Sequence, residues 1–260
     1  MPGRPLHAKT VVITRPRAQS LDLAKRLKSL GARVVLAPLV KTAPPSSWAG
    51  LDKAIRSLAR FEAAAFTSAR GVESFFARAR TLAALPLARP RKLFAVGSAT
   101  AGALAKAGWK SPRLPRDSSA EGLAKVMTGL SGKSVLFPRA REGRDTLPGL
   151  LKEKGVSVTM VEAYRTVPDP AGCARLRTAL SQGADAVVFA SPSAAAVFAK
   201  ALGARGVRRF LSAGRTVSIG RTTSAAMRSA GMAPSAEAEA PVPASLARAV
   251  VMSLCREASA

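Results

Sequence analysis

The chain has 260 residues, 48% of them hydrophobic, which is long enough for two ordinary domains and too apolar for a disordered chain. Its most apolar stretch, residues 184–202, is interrupted by Asp185, Pro192 and Lys200, which excludes a membrane span there. The 41 Lys and Arg against 15 Asp and Glu give a net charge of +26, which predicts an acidic partner, although a proteome rich in Ala and Arg would produce the same balance.

Cysteine usage and the N-terminus indicate where the chain works. The first apolar run is only a few residues long before Arg15 and Pro16 end it, so we predict no secretory signal. Cys173 and Cys255 are isolated, with no spacing typical of a metal site or a disulfide framework. The predicted location is a reducing cytoplasm.

In the first half of the chain, short apolar runs alternate with amphipathic stretches. Leu23, Leu27 and Leu30 recur at helical spacing, and Gly31 follows where a left-handed cap would end the helix. The predicted strands are 9–14, 33–36, 63–67 and 93–96. Two predicted helices end at residues 31 and 108, and three others span 51–58, 71–80 and 120–130. The predicted connections are a linker at 41–47, a turn at 85–90 and a loop at 109–119.

The second half repeats this order. The predicted strands are 134–137, 156–161, 186–190 and 217–219. A turn at 138–144 precedes a helix at 146–154, residues 162–168 form a crossing, one helix follows each of the last two strands, and a loop at 233–243 leads to a final helix at 244–255. Strands alternating with helices predict parallel sheets covered on both faces.

An internal duplication explains the repeated order. Three sequence blocks recur in the same order at offsets of 123 or 124 residues, which indicates two similar α/β lobes. Aligned positions include Arg15 with Arg139, Gly31 with Gly155, Ser68 with Ser191, Gly97 with Gly220 and Thr100 with Thr223.

Hydroxyl and guanidinium side chains collect where the predicted strands end and their helices begin. Ligands of such sheets bind beyond the carboxyl ends of the strands, and free N–H groups at helix starts favour anions. Ordinary N-capping is the commoner role for any single Ser or Thr. Because the pattern recurs at six strand ends in both copies, we predict a cleft that binds several carboxylates. The residues are Thr14, Arg15, Thr67, Ser68, Ser98, Thr100, Arg139, Arg141, Ser191, Ser193, Arg221, Thr222 and Thr223.

The usual reaction machinery is sparse. His7 is the only histidine, which argues against a Ser-His-Asp triad or a histidine metal site. The turn at Gly97 lacks dinucleotide-binding spacing, and no phosphate-binding P-loop motif occurs. Glu142 and Asp145 form the only close carboxylate pair in a strand-end turn, and we interpret them as a solvated helix start.

Tyr164 is the only tyrosine, and it lies in the second crossing. Its phenol could face the space between the lobes and donate a proton. A tyrosine stacked on a lobe surface is the equally weighted alternative.

The chain resembles the uroporphyrinogen-III synthase family along essentially its whole length. The resemblance rests on the order and spacing of VVITRPRAQ, LAKRLKSLGARVVLAPL, FTSARGVESF, AVGSATAGALAKAG, SAEGLA, VLFPRA, VEAYRTVP, FASPSAAAVF and SIGRTTSAAM. It implies an enzyme without a cofactor or metal that closes the linear tetrapyrrole hydroxymethylbilane, with loss of water and inversion of the last pyrrole ring through a spiro intermediate. Its substrate carries acetate and propionate groups on every ring, which agrees with anion-binding turns, and catalysis would be mainly positioning.

The resemblance also implies a fold in which one lobe is discontinuous. It assigns residues 1–37 and 168–260 to one α/β lobe and 42–164 to the other, with linkers at 38–41 and 165–167 forming a two-strand connection beside the cleft.

Site residues carry over by motif. Ser68, Ser191, Ser193, Thr222 and Thr223 would bind substrate carboxylates, and Tyr164 in EAYRT would assist departure of the hydroxyl. Two departures from the family pattern add positive charge. Arg70 stands where many relatives have Asn, and Arg221 stands where many have Pro.

Two other function classes stay open at this point. The same cleft without catalytic side chains would suit a non-catalytic binding protein for a polyanion. The charge of +26 would suit a nucleic-acid-binding protein, but the sequence has no groove-reading motif and only 5% aromatic residues. For the enzyme, we expect a monomer that makes transient contact with hydroxymethylbilane synthase.

Overall fold

The computed structural model describes residues 4–84, 86–87 and 89–255. Contacts between Cα atoms divide the chain into two units. Unit 1 comprises the described parts of 1–41 and 167–260, and unit 2 comprises those of 42–166. The chain therefore passes between units at 41/42 and 166/167.

Strands and helices alternate along the described chain. The strands are β1 (Thr10–Ile13), β2 (Arg33–Leu36), β3 (Val40–Ala43), β4 (Ala63–Phe66), β5 (Lys92–Ala95), β6 (Ser134–Ala140), β7 (Ser157–Pro168), β8 (Ala186–Phe189), β9 (Arg215–Ser218) and β10 (Ala236–Glu237). The helices are α1 (Arg17–Ser29), α2 (Ala49–Arg56), α3 (Ala69–Thr81), α4 (Ser98–Lys106), α5 (Ala120–Val126), α6 (Thr146–Glu153), α7 (Pro170–Ser181), α8 (Pro192–Leu211), α9 (Arg221–Ser229) and α10 (Pro243–Cys255), and a short 3₁₀ turn spans Leu58–Arg60.

Unit 1 is built on a sheet of order β10-β9-β8-β1-β2 with parallel pairings. Residues of β1 alternate between the two faces. Val11 and Ile13 pack with residues of α1 and α10, whereas Val12 packs with residues of α7 and α8. A strand buried on both faces needs a continuous apolar run, which VVI supplies.

Unit 2 is built on a sheet of order β3-β7-β6-β4-β5, in which β4, β5, β6 and β7 pair in parallel. One face carries an aromatic cluster of Phe66, Phe75, Phe76 and Trp109, with ring centroids 4.9 to 6.4 Å apart. Burying each of these rings contributes about 1.5–3 kcal/mol. The prediction that Phe75 and Phe76 are core residues is confirmed.

The predicted α/β class with two parallel-sheet lobes is confirmed. The strand predicted at 33–36 has the bounds of β2, and Gly31 has a φ of +99°, as a left-handed helix cap requires. Among the described residues, no helix combines the length and apolarity needed to cross a membrane.

Several local predictions are wrong. Pro138 does not begin a turn, because β6 continues to Ala140. The predicted crossing at 162–168 is not one of these errors, because it forms the end of strand β7 and contains the passage from unit 2 to unit 1 at 166/167. The predicted linker at 41–47 begins as a strand instead, since β3 spans Val40–Ala43. Helix α5 ends at Val126, four residues earlier than predicted, before the positive φ of Gly129.

Smaller differences concern α7, β10 and one turn. Helix α7 has no counterpart among the predicted elements, and the two-residue strand β10 lies within the predicted loop 233–243. The predicted turn at 85–90 includes residues 85 and 88, which lie outside the described chain.

Candidate active site

The strand orders determine which strand ends lie next to each other within each unit. In unit 1, β1 lies between β2 and β8, and in unit 2, β4 lies between β5 and β6. In unit 1 the strand order runs from β1 to β2 on one side and from β8 to β9 on the other, and in unit 2 it runs from β4 to β5 and from β6 to β7 in the same way. Ligands of such sheets bind beyond the carboxyl ends of the two strands at which the order reverses. Arg15 follows β1 and Ser191 follows β8, whereas Ser68 follows β4. Arg15, Ser191 and Ser68 therefore lie at the carboxyl ends of the central strands of their units.

In unit 2, the serine that caps α3 also contacts Tyr164. The N–H of Gly71 donates to Ser68 Oγ over 3.0 Å, which makes Ser68 the N-cap. The same Ser68 Oγ lies 3.1 Å from Tyr164 Oη, and either oxygen can be the donor. A serine hydroxyl has one proton and two lone pairs, so Ser68 can serve the cap and the phenol together. The structure thus joins two predicted residues that lie 96 positions apart.

Gly71 leaves the space that this contact needs. A Cβ at position 71 would lie 3.1 Å from Ser68 Oγ, 3.4 Å from the Pro138 carbonyl oxygen and 3.9 Å from Tyr164 Cε1. The first distance is tighter than ordinary van der Waals contact, so an alanine would press on the serine that touches the phenol. Sequence reasoning missed Gly71, although a glycine three residues after the cap in FTSARG was visible.

Tyr164 lies on β7, where the ladder with β6 is irregular. It pairs with Ala140, and the register shifts between Arg139 and Ala140. Such a shift changes the direction of the strand and redirects its side chains. The ring is half-buried against the aromatic core of unit 2, while its hydroxyl contacts Ser68. The ring and the hydroxyl of Tyr164 therefore each have a contact within unit 2.

The prediction that Arg139 lies near a helix start is wrong, because it lies within β6 and α6 begins only at Thr146. Its guanidinium Nη1 donates to Asp145 over 2.5 Å, and Nε donates to the Ala140 carbonyl over 3.2 Å. Its side chain is 11% exposed, so Asp145 neutralises a largely buried charge. Asp145 is exposed at the N-cap position of α6, which confirms the interpretation of a solvated helix start, and it is also the ion-pair partner of Arg139.

Of the remaining predicted residues of unit 2, Arg141 follows β6 and donates to Ser46 Oγ over 2.7 Å, whereas the others lie at the starts of α3 and α4. Thr67 is half-buried beside Ser68. Gly97 supplies no side-chain cap for α4, so the first N–H groups of that helix have no side-chain acceptor. Ser98 is exposed at this start, but Thr100 is only 3% exposed. Ser98 is accessible to a ligand, whereas Thr100 packs inside.

In unit 1, the start of α8 repeats the serine cap of α3. The N–H of Ala194 donates to Ser191 Oγ over 3.2 Å. Ser191 Oγ also lies 3.1 Å from Ser193 Oγ. The second hydroxyl contact of the cap is therefore a serine in unit 1 and a tyrosine in unit 2.

Arg15 follows β1 at the same edge of unit 1. Its Nε donates to Gln19 Oε1 over 2.8 Å, and no carboxylate pairs with it among the described residues. Burial lowers the pKa of Arg15 below its ordinary value, yet arginine stays charged at neutral pH. A half-buried cation without a counterion attracts an anionic ligand. Thr14 is fully buried, and its hydroxyl donates to the Val188 carbonyl.

Helix α9 in unit 1 begins without a side-chain cap, as α4 does in unit 2. Gly220 occupies the N-cap position, and Arg221 and Thr222 are exposed in the first turn. Thr223 is only 3% exposed, like its repeat partner Thr100. An uncapped helix start with a cation in its first turn favours anions.

A chain of hydroxyl groups behind α9 had no sequence signal. Ser218 Oγ lies 2.5 Å from Ser224 Oγ, which donates to Glu237. Both serines are fully buried, so the chain connects β9, α9 and β10. Within residues 4–84, 86–87 and 89–255, no three His, Cys, Asp or Glu side chains are placed to hold a metal ion.

Comparison with known proteins identifies similar sequences over most of the chain. The family model described as "Uroporphyrinogen-III synthase HemD" matches residues 22–248. A uroporphyrinogen-III synthase of Synechococcus elongatus is 34% identical over 66% of this chain and 67% of its own length. That of Chlorobaculum parvum is 28% identical over 86% and 90% of the two chains.

Solved structures of similar fold carry the same name. A mutant uroporphyrinogen III synthase of Thermus thermophilus matches with a TM-score of 0.68 and 22% identity, covering 95% of this chain and 99% of its own. The Helicobacter pylori uroporphyrinogen-III synthetase matches with a TM-score of 0.59 and 17% identity at the same coverage. At these identities the structural likeness shows the fold.

Proposed function

The chain belongs to the uroporphyrinogen-III synthase family, and on that premise we propose that it closes hydroxymethylbilane to uroporphyrinogen III. The reaction loses water and inverts the last pyrrole ring. The observation that carries the proposal beyond family membership is the 3.1 Å contact between Ser68 Oγ and Tyr164 Oη at the carboxyl edge of unit 2.

Tyr164 is the proton donor in this proposal. The phenol gives its proton to the terminal hydroxyl of the substrate, the C–O bond breaks, and water leaves. The pyrrole nitrogen lone pair stabilises the electrophilic methylene that remains. Ser68 holds the phenol through its hydroxyl, and because the N–H of Gly71 fixes Ser68, the position of Oη follows from the start of α3.

Ring inversion follows from which carbon attacks the methylene. The substituted carbon of the last ring, the one already bonded to its neighbour, forms the new bond and gives a spiro intermediate. Breaking the original bond and rejoining at the other carbon inverts the ring, and the proton lost at the end can return to the tyrosinate. No step needs an added oxidant or reductant, so the protein mainly fixes the shape of the chain.

The carboxylates of the substrate require cations and N–H donors. Unit 1 offers Arg15, Ser191, Ser193 and the uncapped start of α9 with Arg221, and unit 2 offers the uncapped start of α4 with Ser98. Arg15 suits this role because its half-buried charge has no carboxylate partner among the described residues. A bound substrate carboxylate would be the partner of Arg15.

The family premise also supplies the setting. We place the chain in the cytoplasm as a monomer that needs no cofactor. It would receive its substrate through transient contact with hydroxymethylbilane synthase. The excess of basic over acidic residues, 41 to 15, would raise the local concentration of a polycarboxylate.

An isomer-resolved assay tests the function. Freshly made hydroxymethylbilane is supplied, and the porphyrin isomers are separated after oxidation. The expected product is the inverted isomer III at a rate proportional to the protein concentration. Tight binding of the product with only the spontaneous, non-inverted isomer would mean a binding protein and would refute the proposal.

A further inference from the structure

A basic groove lies at the opposite edge of unit 2 from the candidate active site. Two cavities of about 760 and 410 Å³ are lined by the 3₁₀ turn and its neighbours, and both include Ala59 and Arg60. Glu62, Arg91 and Ser134 line the second cavity directly before, or at, the first residues of β4, β5 and β6. Because these strands are parallel, their amino ends meet at one edge. A ligand there would leave Ser68 and Tyr164 free.

The groove is strongly cationic. Its basic side chains, which define the basic groove, are Lys53, Arg56, Arg60, Arg89, Arg91 and Lys133. All six residues are exposed. The lining carboxylates are already engaged. Asp52 accepts two hydrogen bonds of 2.7 Å from Arg78, and Glu62 lies 3.9 Å from Arg91.

Arg89 donates to the Lys110 carbonyl over 2.6 Å, but most of the six cations have no carboxylate partner in the described part of the chain. Among the described residues, no carboxylate lies within ion-pair distance of Lys53, Arg60 or Lys133. Cations that line the same cavities repel one another, and an anionic ligand would offset that repulsion. Arginine adds planar, paired donors that match carboxylates.

We propose that the basic groove docks an extended acidic segment of another protein. The two cavities share Ala59 and Arg60 as lining residues, so a segment that extends past the 3₁₀ turn could contact both. The only aromatic residue of the lining, Phe61, is buried, so the groove offers no platform on which nucleic-acid bases could stack. A second copy of this chain is a poor occupant, because 15 acidic residues face 41 basic ones. The inference does not depend on the proposed activity.

The test uses the full chain and a fluorescein-labelled peptide of ten glutamates, with binding followed by anisotropy. The groove variant carries Lys53→Glu, Arg60→Glu and Lys133→Glu. The control variant carries Lys25→Glu, Arg177→Glu and Lys200→Glu, which are exposed residues inside helices of unit 1 and give the same change in net charge. Thermal unfolding and the isomer assay verify that both variants remain folded. If the groove variant is unstable, Arg60→Gln with Lys133→Gln replaces it.

We expect the groove variant to bind the peptide about tenfold more weakly, since three screened ion pairs are lost. The control variant should change affinity by less than about twofold. Raising the salt from about 50 to 200 mM should weaken wild-type binding. Equal losses in both variants, or no binding at low salt, would overturn the proposal. A duplex DNA that displaces the peptide and itself depends on the groove would assign the surface to nucleic acid instead.

Discussion

The starts of α3 in unit 2 and α8 in unit 1 are the same structure with different second contacts. Ser68 and Ser191 align in the duplication, and each caps its helix through the N–H three residues later. Ser68 then contacts the Tyr164 phenol, whereas Ser191 contacts the neighbouring Ser193. The duplicated frame thus provides two equivalent positions for a hydroxyl, and only unit 2 places an acidic phenol on it.

The residue three positions after each cap follows the same division. Position 71 is glycine in unit 2, and the aligned position 194 is alanine in unit 1, 2% exposed. An alanine Cβ fits beside Ser191, but at position 71 it would lie 3.1 Å from Ser68 Oγ. Features that determine the fold are therefore shared by both copies, whereas the features around the phenol belong to one.

The largest expected effect comes from removing the feature that unit 1 lacks. Tyr164→Phe keeps the ring against the aromatic core and removes the hydroxyl that we propose as the proton donor. We expect turnover to fall by about 10²-fold, the low end for a general acid, with KM nearly unchanged. Initial rates of isomer III formation measure this, and unchanged turnover would remove the acid role.

Gly71→Ala makes unit 2 resemble unit 1 at this position. The new methyl should displace Ser68 from the phenol and lower turnover several-fold. Stability should change by no more than about 1 kcal/mol, because the gain in chain stiffness offsets the crowding. Gly149→Ala is the control, since its added Cβ would have no atom within 4 Å apart from its chain neighbours and the backbone of its own helix. It should stabilise α6 by about 0.5–1 kcal/mol and leave turnover alone. Equal turnover in Gly71→Ala and wild type would show that the space is not needed.

The smallest effect on activity is expected from Asp52, which lies in α2 and not at the carboxyl end of a strand. Arg78 donates two hydrogen bonds to Asp52, which lowers the pKa of that carboxyl below its ordinary value. A depressed carboxyl pKa gives stability that is present above the unfolded pKa of about 3.9 and is lost as the pH falls through the folded value. Asp52→Asn should therefore lower Tm at pH 7 without changing turnover. Its Tm curve should meet that of the wild type below about pH 4, and a constant gap would contradict the ion pair's role.

The sequence predicted the order of strands and helices better than the contacts between side chains. Apolar runs, helical spacing and the constant offset were enough for the alternating elements and the two parallel sheets. The prediction at Pro138 is wrong because proline usually ends a strand. The pairing of β6 with β4 stops at Leu136, so the β4 side of β6 is unpaired at Pro138, where proline is tolerated. The start of α7 has a sequence signal, Asp169 as the N-cap followed by Pro170, but apolar spacing alone does not reveal it.

The site was predicted as a set of positions and not as an arrangement. Hydroxyls at strand ends were visible, but burial divides them. Thr14, Thr100 and Thr223 face inward, whereas Ser98, Arg221 and Thr222 are exposed. Arg139 aligns with Arg15 in the duplication, yet Arg139 pairs with Asp145, whereas no described carboxylate pairs with Arg15. Such differences depend on residues far apart in the sequence, which periodicity does not reveal.

The most direct test of the division between the units compares Ser68→Ala with Ser191→Ala. Both substitutions remove one helix cap and should lower stability by about 1 kcal/mol. We predict that turnover falls about tenfold or more in Ser68→Ala alone, while Ser191→Ala raises KM and keeps turnover. Equal losses of turnover, or a larger loss in Ser191→Ala, would contradict this division.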